Sequence, residues 1–314
     1  MTGSVARGLA AGAVGTTVLQ TVTYLDVLWR GRTPGAVPER VVDALAARLG
    51  RKTPDGHRRA ALGALLDVGT GLGVGVLASA TRSHGARFSG PAGAVVTGAV
   101  AMAAADGPAA ALGVTDPRTR SAADWAAAAV PHLAYGAALH GVVSAVPTAR
   151  EQRDRRTPAP AGLVLRSAVL GVATGGRSSL ALAGPALTDR RTRPSIRAGA
   201  LAAVGGELVA DKLPGTPART SPQSLPARLL GGAGGAGRLA GREGANAAVP
   251  VTVGLLGALA GSFGGVAWRR WASRRVPDWQ AALVEDALAL ALAAAACVPG
   301  RTNGGRARLR VVRA

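Results

Sequence analysis

The sequence is short of three things that a soluble enzyme of its size ordinarily uses. It has one cysteine, Cys297, in 314 residues, which excludes an intrachain disulfide and a thiolate metal cluster. Aromatic residues make up 3% of the chain, too few to fill a soluble core with bulky side chains. Charged residues make up 17%, and they gather in short clusters between stretches almost free of charge. The four histidines, His57, His84, His132 and His140, follow no zinc-site spacing. His132 and His140 lie eight positions apart, too far for an adjacent-turn pair on one helix.

What the chain does have is alanine and glycine, 45 glycines in all, set in long apolar runs. Lipid accepts helices but few ionised groups, and small residues let membrane helices approach closely. The net charge is +20, from 37 Lys plus Arg against 17 Asp plus Glu. In a soluble protein that excess would suggest nucleic acid. Here the arginines flank apolar runs, so the expected partner is a bilayer with anionic headgroups and no nucleic acid.

Candidate spans run over 4–28, 60–80, 90–112, 125–146, 160–187, 197–211, 224–241, 247–268 and 280–298. The sixth and seventh are short or glycine-broken, and Asp106, Gly107 and Pro108 are expected to kink or stop the third. The fold class that follows is all-α, a polytopic transmembrane helix bundle of about seven to nine membrane segments. The hydrophilic stretch 148–159 reads as a charged, proline-containing linker. It separates an amino-terminal transmembrane region, 1–147, from a carboxy-terminal one, 160–300, with a basic tail at 301–314. Arg7 and the apolar run after it read as a retained first span, because no small-x-small cleavage site follows. The arginines of the 30–59 loop and of "RRWASRR" at 269–275 argue for a cytoplasmic side. Strict alternation then places the arginine-rich 149–156 segment outside, against the same rule.

In "GLLGALAGSFGG" the glycines 254, 257, 261 and 264 recur at spacings of three and four, with Gly265 beside them. That puts a smooth stripe on one helix face, fit for a neighbouring helix of the same chain, a second copy or another membrane partner. Gly8, Gly12 and Gly15 repeat the pattern on a smaller scale.

"GVATGGRSSLALAG", residues 171–184, has the glycine and serine spacing of a phosphate-binding loop, with Arg177 in place of lysine. A phosphate loop needs a preceding strand, and the apolar sequence here is long and helix-like on both sides. Read instead as a membrane segment, it places Arg177 roughly fifteen residues deep, where an unpaired charge costs several kcal/mol. Glu207 and Asp211, four apart on one helical face, are the nearest acids able to satisfy it, with Lys212 and Pro214 marking the segment's exit. Asp67 is the cleanest intramembrane acid. Asp26 and Asp106 lie near ends or breaks. Glu285 and Asp286 open "LVEDALALALAAAACV" and suit the positive end of that helix. No pair of acids has the arrangement of a general acid and base, and Ser178 and Ser179 have no matched histidine. The sequence therefore leans away from an enzyme without excluding a membrane-embedded one, and no cofactor is expected.

Residues 166–295 resemble an uncharacterised family of bacterial integral membrane proteins, known mainly as a domain of unknown function in actinobacteria. The resemblance is carried by "LRSAVLGVATGGRSSLALAG", "GELVADKLPGTPARTSPQSLPARLLGGAGGA", "GALAGSFGG" and "PDWQAALVEDALAL", with "ELVADKLP" and "ARTSP" the most specific. It marks Arg177, Ser178, Glu207, Asp211, Lys212, Pro214, Arg219, Thr220, Pro222, Glu285 and Asp286, and it implies a membrane-embedded helical protein with no established substrate or reaction. The functional expectation is a multi-pass protein of the bacterial cytoplasmic membrane, a small transporter or channel-like protein with Arg177, Glu207 and Asp211 beside a polar passage. The alternative is a structural or assembly protein whose charges only hold helices together.

Overall fold

The structure, a computed structural model, describes residues 3–31, 35–211 and 218–298. Among these residues the chain is all-α, with no strand and one isolated bridge between Thr157 and Ala245. The expected fold class therefore holds, and no strand precedes Arg177 to make a phosphate loop. The chain divides into two compact units, Met1–Arg155 and Arg156–Ala314.

The first unit contains α1 (Ser4–Arg30), α2 (Val37–Arg48), α3 (Gly56–Ser83), α4 (Gly90–Ala111), α5 (Ala122–Ala145) and α6 (Ala149–Arg153). α1 lies between α3 and α5, and α5 also packs on α4. Glycines set these spacings. A Cβ on Gly8 would sit 2.5 Å from Val76 Cα, and one on Gly12 would sit 2.8 Å from Gly71 O. Gly8 and Gly12 thus bury themselves against α3 of the same chain, and Gly15 faces the ring of Tyr135 on α5. Asp55 caps α3 by accepting from Arg58 N, and Ser121 with Asp124 forms a capping box at the start of α5. Pro108 does not stop α4, which continues to Ala111. So close to the C-terminus a proline removes one hydrogen bond, and the last turn still closes through Leu112 N to Pro108 O, at 2.9 Å.

Residues 149–153, assigned above to a linker, form α6 and close one end of this unit. Arg7, 2% exposed, donates through Nε to Ser79 Oγ (2.9 Å) and through Nη2 to Glu151 Oε1 (2.6 Å). It also donates to the carbonyls of Val143 (3.2 Å) and Val146 (3.0 Å). One guanidinium thereby joins α1, α3, α5 and α6. Burial pushes the Glu151 carboxyl up, but the hydrogen bond and charge of Arg7, with help from Ser83 and Arg82, hold it below the usual carboxylate range.

The second unit contains α7 (Ala161–Gly176), α8 (Leu180–Thr188), α9 (Pro194–Ala210), α10 (Leu225–Arg242), α11 (Ala248–Ala272) and α12 (Asp278–Cys297). α7 and α11 run parallel along a glycine seam, Ala168 meeting Gly257 and Val172 meeting Gly261. The other side of α11 receives Gly232 and Ala236 of α10 at Gly254. The stripe 254–257–261 is therefore spent inside the chain, while Gly264 has open space where its Cβ would be.

Among the described residues five helices are long and apolar enough to cross a membrane: α3, α4, α5, α11 and α12, with mean hydropathy between 1.3 and 1.7 over their best windows. α1, at 27 residues, is long enough but more polar. The burial pattern agrees with lipid as the solvent. The buried apolar side chains are mostly Ala, with Gly beside them, while Leu65, Leu77, Leu201, Leu230 and Leu288 face outward. This is a membrane protein built from apolar helices.

Candidate functional site

The segment 160–187, expected as one apolar span, is two helices that fold back on each other. After α7 ends at Gly176 the chain turns through Arg177–Ser179, and α8 returns beside α7. A Cβ on Gly184 would lie 3.5 Å from Leu170 Cδ1, and Gly235 of α10 faces both Ala181 and Leu170. A continuous helix would put residues 170 and 184 about 21 Å apart. The sequence hides this reversal because the residues on both sides of it are equally apolar. The hairpin tip lies close to Gly265 of α11, roughly two turns before that helix ends at Ala272.

A hairpin tip at that depth exposes the last carbonyls of α7 and the N–H groups of the turn that leads into α8, which lipid cannot satisfy. Both sets find charged partners. Arg228 Nη1 of α10 donates to Gly175 O (2.9 Å) and Gly176 O (3.1 Å). Glu207 of α9 accepts from Ser178 N, Ser178 Oγ and Ser179 N, each at 2.8 Å. A cation thus sits at the negative end of α7 and an anion at the positive end of α8, each of the sign the helix dipole favours. Arg228 and Glu207 also approach each other at 3.6 Å.

Arg177 is 3% exposed and has two acids. Its Nε donates to Asp286 Oδ1 at 2.7 Å, its Nη2 reaches the same oxygen, and its Nη1 engages Asp211. Of the two partners expected from sequence, Asp211 is the ion-pair partner, and Glu207 caps the neighbouring helix. Arg219 joins the cluster by bonding Asp211 at 3.1 Å and pairing with Glu285. Arg269 pairs with Asp278 at 2.6 Å.

The placement of Glu285 and Asp286 is a correction. They do not open a helix, since α12 begins at Asp278. They lie about two turns inside it, buried and facing Arg219 and Arg177. Pro277 at the N-cap and Asp278 in the first turn begin the helix, two residues before the expected start at 280, so the correction lies in the role of the two acids and not in the span. Arg228 was not anticipated either. Its partners are backbone carbonyls of a turn that the sequence conceals.

Arg177, Asp211 and Arg219 line an open cavity of about 710 Å³, together with Gly265, Arg269, Arg270, Asp278 and Trp279. Asp67 is not part of this cluster. It belongs to the first unit, on α3, and lines a separate cavity of about 150 Å³ with Thr16, Gln20, Thr70, His132 and Tyr135. Lys212 and Pro214, and the tail at 301–314, lie outside the described residues. Compared with models of known families, with curated proteins and with solved structures, the chain gives no match.

Proposed function

We propose that the protein is a small transporter or channel-like protein of the bacterial cytoplasmic membrane, and that its passage runs along the tip of the α7–α8 hairpin. The observation that carries this reading is a helix pair that turns back below the end of α11, with its tip groups bound to Arg228 and Glu207 and an open cavity beside it. Non-helical backbone at membrane depth is tolerated where it is enclosed by protein or lines a water-filled cavity. Discontinuous helices whose ends meet charged groups are the way many transporters build a site near the bilayer midplane. The proposal keeps the family resemblance of residues 166–295, because Arg177, Glu207, Asp211, Arg219, Glu285 and Asp286, which that resemblance marks, form or adjoin this cluster.

The test is water access to the cavity. In a Cys297→Ala background, cysteines are placed at Ala218 and Ala282, both of which line it. A membrane-impermeant thiol reagent is expected to label both in sealed vesicles. Complete protection of both in folded protein would overturn a water-filled passage and favour the assembly role.

A further inference from the structure

The cavity at the hairpin tip is the upper of two in the second unit. The lower one, about 260 Å³, lies between α7, α11 and α12 and is lined by Val172, Gly261, Gly264, Val284, Leu288 and Leu292. Its lining is apolar except for Glu285 at its upper end, and Gly265 borders both cavities. From Val284 to Leu292 the lower cavity follows α12 for about 12 Å, a substantial part of one leaflet.

The upper cavity opens at the level of the chain's aromatic and basic belt. Trp271 and Trp279 sit there, with Arg269 and Arg270 at the end of α11, which is where such residues meet lipid headgroups. The acids around this mouth are already engaged by other arginines. Asp278 is engaged by Arg269, and Arg275 stacks over Trp271, 4.3 Å from its ring centroid. Arg270 lines the cavity with its side chain in no ion pair among the described residues.

Gly264 adds a second kind of observation. Its neighbours in the stripe are glycine because another backbone lies against them, but nothing lies within 4 Å of where its Cβ would be. Glycine in a helix costs about 1 kcal/mol relative to alanine, and here its effect is to keep the lower cavity open.

We propose that the two cavities together bind one anionic amphiphile, a phospholipid whose phosphoryl headgroup meets Arg270 at the upper mouth and whose acyl chain lies along Gly264 in the lower cavity. This goes beyond the passage reading, shares with it only the cavity at the hairpin tip, and names a lipid that binds there whether or not a solute crosses. Free phosphate would leave the apolar cavity unused, and a neutral lipid would leave Arg270 uncompensated. The amphiphile alone matches both halves.

The experiment is native mass spectrometry of the full chain in an uncharged detergent, titrated with phosphatidylglycerol or with phosphatidylcholine of the same acyl chains. Phosphatidylglycerol is expected to bind one-to-one, about tenfold tighter than phosphatidylcholine. Arg270→Gln is expected to remove most of that preference, weakening phosphatidylglycerol more than phosphatidylcholine. Gly264→Leu is expected to weaken both lipids about tenfold or more with the unfolding temperature unchanged, since the space it fills is empty. Equal binding of the two lipids, or binding unaffected by both substitutions, would overturn the proposal. So would full competition by glycerol phosphate, which has no chain. Lipid selectivity without any transport would sink the passage and leave this inference standing. Solute flux with no lipid selectivity would do the reverse.

Discussion

Replacing Asp286 by asparagine separates two accounts of the same residue. If Asp286 only complements the start of α12, its charge is worth about 0.3–1 kcal/mol. The structure instead makes it the double acceptor for Arg177, with both side chains almost fully buried. Breaking a buried pair by removing one partner costs about 3–5 kcal/mol, because the other charge is left uncompensated. Asparagine keeps the acceptor oxygen, and Asp211 still holds Nη1 of Arg177, although it is shared with Arg219. The loss is therefore placed at the low end, about 3 kcal/mol, or roughly a hundredfold in the unfolding equilibrium. Denaturant unfolding in micelles, followed by tryptophan fluorescence, measures it directly. Arg177→Met combined with Asp286→Leu is expected to cost less than the sum of the single changes, with a coupling of about 2 kcal/mol. A loss below about 0.5 kcal/mol for Asp286→Asn, or strict additivity in the cycle, would refute the buried-pair account.

The glycines of α11 are expected to divide by what faces them. Gly261→Ala drives a methyl group into Val172 of α7 and is expected to cost about 1–3 kcal/mol, whereas Gly264→Ala is expected to stay within about 0.5 kcal/mol of wild type or gain stability. The same unfolding titration reads both. Glu151 predicts a pH dependence. Its folded carboxyl is held below its ordinary value by Arg7 despite burial, so its contribution is full above the unfolded value, near 4.3, and is lost as pH falls through the folded value. Melting temperatures taken from about pH 7 down to pH 3 should fall less steeply in Glu151→Gln than in wild type. Asp67 makes no ion pair among the described residues and has Glu39 as a like-charged neighbour and His132 as a basic one. Asp67→Asn is therefore expected to raise the unfolding midpoint, and a lower midpoint would show a bond that this account lacks.

The apolar runs were readable because the bilayer leaves little choice of structure. Every backbone group must be satisfied within a helix, so a long run of Ala, Gly, Val and Leu already names its secondary structure. Arg177 was readable as a problem for the same reason, and Asp211 as one solution, being 34 residues away. Asp286 was seen but given a local role, since nothing short-range joins it to a residue 109 positions earlier. The reversal at Arg177–Ser179 left no mark in hydropathy, and with it the roles of Glu207 and Arg228 as partners of helix ends were hidden. Arg7 illustrates the same limit. By sequence it flanks a span and Glu151 belongs to a linker, yet together they tie four helices. The destination of the glycine stripe became clear only once α7 and α10 were seen against α11.

The most direct test of the passage is ion and proton flux through purified protein in sealed liposomes, wild type against Glu207→Gln at matched insertion. Glutamine cannot supply two anionic oxygens to Ser178 and Ser179, so the tip should loosen while the rest of the fold persists. The account predicts flux above that of empty liposomes for the wild type, and its loss in a variant that still folds. Flux indistinguishable between the two proteins, or absent from the wild type for every ion tried, would contradict an ion passage at the hairpin tip.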